Sequence, residues 1–160
     1  MEFETRIEHI CANNADAPRD AIIASRRLFR ATHLLENRIN AALATHGLEM
    51  REYLALTLLA NNVDEPMRPT ELSVTLDATR TQITRLLDAL EKRGLLARTP
   101  STTDRRGFEL DVTEQGRALQ RQAVPSVYAA YEACWALVDP ELRPALLAAL
   151  GSIDRGLSQA

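Results

Sequence analysis

The segment between Thr79 and Gly94 constrains the fold more strongly than any other part of the chain. Its apolar residues recur at the spacing i, i+3, i+4 and i+7, which places them on one face of an amphipathic helix. These residues are Ile83, Leu86, Leu87 and Leu90. Thr79 and Gln82 match a capping box at the start of this helix. Gly94, followed by the apolar Leu95, matches a glycine stop at its end.

The elements on both sides of this helix form a recognisable order. Residues 69–76 have the pattern of a short helix, and Asp77 with Ala78 makes a tight turn. Residues 95–98 and 108–112 are predicted as two strands, because the second alternates apolar and polar side chains. The polar loop 100–107 joins them into a hairpin. This order predicts a winged helix-turn-helix, within a mainly α (α+β) fold.

Helices are predicted over most of the remaining chain. Residues 1–18 are polar and are predicted as a loop or loosely held arm, followed by helices over about 20–45 and 49–61. Thr113 caps a helix that runs to about residue 137, which Pro125 should kink or interrupt. Asp139 and Pro140 begin a last helix. Its narrow stripe is too apolar to face water alone, which predicts a subunit interface: Leu146, Leu150, Ile153 and Leu157.

These elements divide the chain into three regions. An N-terminal arm spans 1–18, and a winged helix-turn-helix lobe that binds DNA spans 49–116. A helical dimerisation region is formed by 19–48 and 117–160.

Charge is distributed unevenly along a chain whose net charge is only −3. Between Arg80 and Arg106, seven basic residues face three acidic ones, a local excess of four positive charges. All but one of the seven are arginines, which suit bidentate contacts to phosphate and guanine. A genome-composition bias would produce the same preference, so the arginine content alone does not decide between the two explanations.

Several classes of protein are disfavoured by the sequence. The N-terminus lacks the pattern of a signal peptide, and no run of apolar residues is long enough to span a membrane. Cys11 and Cys134 are too few for a disulfide framework, and no Cys/His cluster has zinc-site spacing. No glycine-rich phosphate loop or nucleophile motif is present. The chain is therefore expected to be a cytoplasmic protein without metal, cofactor or catalytic activity.

The motifs of the lobe resemble the MarR family, the multiple antibiotic resistance regulators. The resemblance is carried by Asp104-Arg105-Arg106 with Leu110 and 112–116, by 90–96, and by 69–72. The stretches 34–38, Arg80-Thr81 and 91–94 look most similar to the multidrug-efflux repressor branch. The resemblance implies a homodimer that represses transcription from double-stranded DNA and is released by a small aromatic or phenolic effector.

Candidate DNA-binding residues lie on the amphipathic helix, on the helix before it and on the hairpin. They are Thr70, Thr79, Arg80, Thr81, Gln82, Thr84, Arg85, Asp104, Arg105 and Arg106. The resemblance implies that Asp104 orients Arg106 toward the minor groove. For four of these residues, a role other than base recognition stays open. Gln82 and Thr70 could be helix caps, Arg85 a solvated charge, and Arg105 a phosphate contact or an exposed charge.

Candidate effector-binding residues follow from rough alignment with that family. They are His33, Asn37, Asn40, Arg51, Thr57, Tyr128 and Tyr131. An alternative function within the same fold is a peroxide-sensing repressor that uses Cys11 or Cys134. A winged helix that binds only protein is a further alternative, which the polar helix face and the wing arginines disfavour.

Overall fold

The computed structural model describes residues 3–14, 16–62, 67–100 and 108–159. These residues divide into two compact units, Met1–Arg38 and Ile39–Ala160. None of the helices in the described ranges is long and apolar enough to cross a membrane.

The first unit contains helix α1, Phe3–Ala12, and residues 19–38 of helix α2, Arg19–Ala44. The prediction of a loop or loose arm over 1–18 is wrong, because most of that segment is helical. Ile7, Ile10 and Cys11 follow the i, i+3, i+4 spacing of one helix face, and Ile7 is buried. Arg19 Nη2 also donates to Glu8 Oε1 at 2.7 Å, which ties the start of α2 to α1.

The second unit begins with the end of α2 and contains all the remaining elements. They are α3 (Met50–Asn61), α4 (Pro69–Thr75), α5 (Arg80–Lys92), β1 (Leu96–Pro100), β2 (Phe108–Val112), α6 (Glu114–Trp135), a 3-10 turn (Pro140–Leu142) and α7 (Arg143–Ser158). The short helix, turn, amphipathic helix and antiparallel hairpin occur in the predicted order. The mainly α (α+β) winged helix-turn-helix fold is therefore confirmed.

The core of the second unit lies where α3, α5 and α6 meet the hairpin. The predicted stripe of α5 faces it, with Ile83, Leu87 and Leu90 buried and Leu86 half-buried. Buried partners come from each neighbouring element: Leu56 and Leu59 of α3, Leu72 of α4, Leu110 and Val112 of β2, and Ala123 and Val127 of α6. Each fully buried Leu or Ile contributes about 1.5–3 kcal/mol, so this face fixes α5 in place.

Three helices of the second unit end in the same backbone motif. A residue with positive φ follows each helix: Gly47 (64°), Asp77 (46°) and Gly94 (71°). After each, a backbone N–H returns to the last turn, as from Leu95 to the Leu90 carbonyl at 3.0 Å. The glycine stop at Gly94 and the tight turn at Asp77 are both confirmed. Asp77 tolerates the left-handed conformation better than most residues that carry a Cβ.

The hairpin pairs Leu96 with Val112 at its base and Pro100 with Phe108 at its far end. The base pair is buried, and the far pair is exposed. β1 starts one residue later than predicted and ends two residues later.

Helix α6 begins at the predicted cap, because the Gly116 N–H donates to Thr113 Oγ1 at 3.1 Å. Pro125 does not interrupt the helix, which is continuous to Trp135. A proline removes the hydrogen bond to the carbonyl four residues earlier, here that of Arg121. Arg121 and Pro125 are both exposed, so water can satisfy this carbonyl. Buried Ala123 and Val127 hold the segment against the core.

Candidate nucleic-acid interface

Helix α5 presents a polar face to solvent, opposite its buried stripe. Five of the residues predicted to contact DNA lie at the start of this helix, and all are exposed: Arg80, Thr81, Gln82, Thr84 and Arg85. A helix of this kind fits the major groove, where its N-terminal side chains reach base edges. The packing of α5 thus leaves free the residues that such recognition requires.

Thr79 and Gln82 form the reciprocal cap that their spacing predicts. The Thr79 backbone N–H and hydroxyl both donate to Gln82 Oε1, at 2.8 and 3.0 Å. The Gln82 backbone N–H donates to Thr79 Oγ1 at 3.3 Å. Gln82 is therefore a helix cap, and its side-chain NH₂ group keeps its donors free for another partner.

The hydroxyls of Thr84 and Thr70 have different local roles. Thr84 Oγ1 donates to the Arg80 carbonyl at 3.0 Å and can still accept a hydrogen bond. Thr70 lies inside α4 and does not cap it. The cap position belongs to Arg68, whose backbone N–H donates to Glu71 Oε2 at 2.8 Å. The cap role considered for Thr70 is therefore wrong, and its exposed hydroxyl has the solvent as neighbour.

Five of the seven basic residues of this region are described, and two of these five are engaged in ion pairs within the protein. Arg98 on β1 contacts Asp88 at 2.6 Å and Glu91 at 3.4 Å, both on α5. Arg93 donates to both carboxylate oxygens of Glu52 at 3.0 and 3.1 Å and to the Gly47 carbonyl at 2.7 Å. These arginines fix the hairpin and α3 to α5.

Arg80, Arg85 and Lys92 have no ion-pair partner within the described part of the chain. They are exposed on α5 and supply its positive charge toward solvent. The predicted wing residues Asp104, Arg105 and Arg106 lie outside the described residues.

Three of the seven predicted effector residues, Thr57, Tyr128 and Tyr131, lie near Tyr53, which the sequence analysis missed. Gln120 Nε2 of α6 donates to Thr57 Oγ1 of α3 at 3.2 Å. Burial raises the pKa of Tyr53, a hydrogen bond with Thr57 lowers it, and the nearby Tyr128 and Tyr131 raise it further. The i, i+4 spacing of Tyr53 and Thr57 on α3 was the available signal.

The other four predicted effector residues have surroundings of their own. His33 Nε2 and Asn37 Nδ2 are 3.0 Å apart on the exposed surface of α2, in the first unit. Asn40 Oδ1 accepts from the Met50 backbone N–H at 2.7 Å, which satisfies the first turn of α3. Arg51 is exposed on α3.

The second unit also has an open groove of about 670 Å³, and no tyrosine lines it. Asn40 borders it together with Gly47, Glu52 and Arg93. Asn40 therefore has a hydrogen-bond partner within the fold, and it lines this groove.

Cys11 and Cys134 are free thiols, and both are partly buried. Among the described ranges, no group of three His, Cys, Asp or Glu side chains could hold a metal ion.

The lobe and its flanking helices match proteins of one regulatory family. The sequence pattern described as "MarR family" matches residues 46–107, from just after α2 to the residue before β2. The transcriptional repressor MprA of Escherichia coli is 32% identical over 134 residues, which are 83% of this chain and 76% of MprA. The chain belongs to the MarR family.

Solved MarR-family structures share the fold. The repressor CouR bound to a 23-mer DNA duplex superposes with a TM-score of 0.72 at 32% identity, over 80% of this chain and 89% of CouR. CouR from Rhodococcus jostii bound to p-coumaroyl-CoA gives 0.69 at 31% identity, over 79% and 87% of the two chains. The Mycobacterium tuberculosis protein Rv2887 in complex with salicylic acid gives 0.63 at 26% identity, over 86% and 97%.

MarR-family membership gives the chain its biological role. The protein is a DNA-binding transcriptional regulator, and α5 holds the recognition-helix position of its helix-turn-helix.

Proposed function

We propose that this MarR-family regulator represses transcription as a homodimer on a pseudo-palindromic operator and is released by a small aromatic acid or phenol. One observation carries the DNA-binding mode: the exposed, uncommitted face of α5 with Arg80, Thr81, Thr84 and Arg85. CouR, which shares the fold, has been solved on a DNA duplex.

In this mode, Arg85 and Thr84 read base edges in the major groove. Arginine is suited to guanine O6 and N7, and threonine to a thymine methyl group or a phosphate. Thr70, Thr79, Arg80, Thr81 and Gln82 complete the contact surface of the helix-turn-helix. Asp104, Arg105 and Arg106 are assigned to the wing, with Arg106 in the minor groove. The lobe that makes these contacts spans residues 49–116.

The dimer is assigned to 19–48 and 117–160, and its strongest support is α7. This helix has no buried residue, and four of its leucine and isoleucine side chains are exposed. Two-fold symmetry would place two recognition helices about one DNA turn apart, which requires a pseudo-palindromic operator.

The effector is assigned to the side chains around Tyr53, where the tyrosines supply aromatic rings and Thr57, Tyr128 and Tyr131 supply polar groups. Such a mixture is usual for small-molecule sites. His33, Asn37, Asn40 and Arg51 remain predicted contributors from α2 and α3. CouR with p-coumaroyl-CoA and Rv2887 with salicylic acid show aromatic ligands on the same fold. An effector that binds more tightly to one spacing of the two DNA-binding lobes than to another would couple the effector site to DNA binding.

Operator selection from random duplex DNA tests the DNA-binding mode. Arg85→Ala should change the selected bases, whereas Arg106→Ala should weaken binding on all sequences and flatten its salt dependence. Arg121→Ala on α6 is the matched control and should behave like the wild type. Equal losses on operator and random DNA for Arg85→Ala would contradict base reading by α5.

A release assay with salicylate and related aromatic acids tests the effector. A coupling of about 1–3 kcal/mol would weaken operator binding about 5- to 150-fold. His33→Ala and Arg51→Ala should reduce this response without changing operator affinity in its absence. If no aromatic acid changes the affinity of the wild type, the effector class is wrong; if both variants respond as the wild type does, the residue assignment is wrong.

A further inference from the structure

Arg98 connects the hairpin to the recognition helix through two carboxylates. Its guanidinium lies 2.6 Å from Asp88 and 3.4 Å from Glu91, which are three residues apart on α5. The Arg98 side chain is only 24% exposed, compared with 56% for Asp88. A half-buried arginine that is held by two acceptors is not available to a phosphate.

Asp88 occupies an unexpected place for a carboxylate in a DNA-binding helix. Thr81, Arg85, Asp88 and Lys92 are spaced at i, i+4, i+7 and i+11, so Asp88 shares the outward face with the exposed basic residues. A bare carboxylate there would repel DNA phosphates. Arg98 compensates this charge from the side of the hairpin.

We propose that Arg98 is a positioning residue for DNA binding: by holding Asp88 and Glu91, it fixes β1 and β2 relative to α5, so that helix and hairpin meet DNA as one preformed surface. The inference rests on the proposed DNA-binding mode and adds a role to an arginine that contacts no DNA. The acidic pair on α5 is then required for tight binding in spite of its charge.

The variant D88N/E91Q separates positioning from simple electrostatics. Removing two negative charges next to DNA should strengthen binding if charge alone matters. Positioning predicts the opposite effect, a weakening of operator binding by about three- to tenfold, which is the scale of an ordinary hydrogen bond or an exposed ion pair. D111N is the control, because Asp111 lies on β2 and, among the residues that the structure describes, accepts a hydrogen bond only from Thr99 Oγ1, at 3.3 Å. It should bind at least as tightly as the wild type.

The variant D88N/R98Q keeps the net charge of the wild type. Affinity equal to the wild type would reduce Arg98 to charge compensation and overturn the proposal, whereas a persistent loss supports it. Tighter operator binding by D88N/E91Q would overturn it as well.

Amide hydrogen exchange in the protein without DNA tests the same contact independently of operator binding. Segments 96–100 and 108–112 should exchange faster in both double variants and not in D111N. Unchanged exchange in the double variants would overturn the positioning role even if the wild type binds DNA as proposed. Failure of the wild type to bind any operator, with faster hairpin exchange in the variants, would instead count against the proposed function alone.

Discussion

At the residue scale, Gly116 has the least space for a side chain among the glycines in the described ranges. A Cβ built on it would lie 2.1 Å from the Leu95 carbonyl oxygen and 2.8 Å from Val112 Cγ1. The same junction is held by Thr113, whose hydroxyl donates to the Gly94 carbonyl at 2.7 Å and whose N–H donates to Leu95 at 3.1 Å. The first turn of α6 therefore touches the backbone that leads into β1.

Gly116→Ala is expected to lower the free energy of unfolding by about 3 kcal/mol, because the clash is with backbone that cannot move aside. Urea denaturation of both proteins measures this change. Gly156→Ala is the control, since a Cβ there meets nothing within 4 Å. It should raise stability by about 0.5–1 kcal/mol through helix propensity. A Gly116→Ala protein as stable as the wild type would mean that α6 can shift away from Leu95.

Local sequence patterns predicted the caps at Thr79 and Thr113 and the stop at Gly94, because their partners lie within a few residues. The pairing of Arg93 with Glu52 joins residues 41 positions apart, and no local spacing indicates it. Counting charges along the sequence therefore treated Arg93 and Arg98 as available to DNA, although the fold pairs both.

At the element scale, α3 and α6 pack through a polar layer inside an apolar contact. Thr57 donates to the Tyr53 carbonyl at 2.8 Å and accepts from the buried Gln120. Tyr53 is itself buried, and that burial is the main reason why its pKa is raised above the ordinary tyrosine value.

This raised pKa predicts a loss of stability in alkaline solution. Between the unfolded pKa of about 10 and the higher folded pKa, the unfolded chain has released the Tyr53 proton and the folded protein has not. Stability is therefore fully present below pH 10 and falls as the pH rises, by at most about 1.4 kcal/mol per pH unit for this one group. Tyr53→Phe should make the slope of unfolding free energy between pH 9 and 11 shallower, whereas Tyr128→Phe, at an exposed position, should change it less. Parallel slopes for the wild type and Tyr53→Phe would contradict this assignment.

Elements with a clean period over several turns were predicted closely. Helix α1 was missed because its apolar stripe, with Ile7, Ile10 and Cys11, is short and is followed at once by a polar segment, so composition suggested a loop. The continuity of α6 through Pro125 could not be predicted either. It depends on which side of the helix the unpaired carbonyl faces, and that is decided by packing.

At the scale of the whole molecule, α7 is the helix whose apolar side chains find the least cover. Leu147 is 59% exposed and Leu157 is 75% exposed, and no residue of α7 is buried. Exposure of this apolar face to water is unfavourable, so we expect a second copy of the chain to pack against α7.

Leu147→Glu with Ile153→Glu should convert the protein to a monomer, because two charges would be buried in the interface. Sedimentation velocity at micromolar concentration measures the change, and removal of the chain from Asp139 onward should give the same result. Val74→Glu is the control: Val74 is more exposed than either residue but lies on α4, and this variant should stay dimeric. A monomeric wild type would contradict the dimer.

The reciprocal cap between Thr79 and Gln82 links base recognition at this position to the stability of the helix start. Under the proposed binding mode, Gln82 offers bases only hydrogen-bond donors, since its carbonyl oxygen is held by Thr79. Most substitutions that would let this position accept a different base pair also remove the helix cap, at a cost of about 0.5–2 kcal/mol. Glutamate alone would keep a cap of similar reach while exchanging donors for acceptors. New operator preferences are therefore more accessible at Arg85 or Thr84, where the side chain can change without loosening the start of the helix.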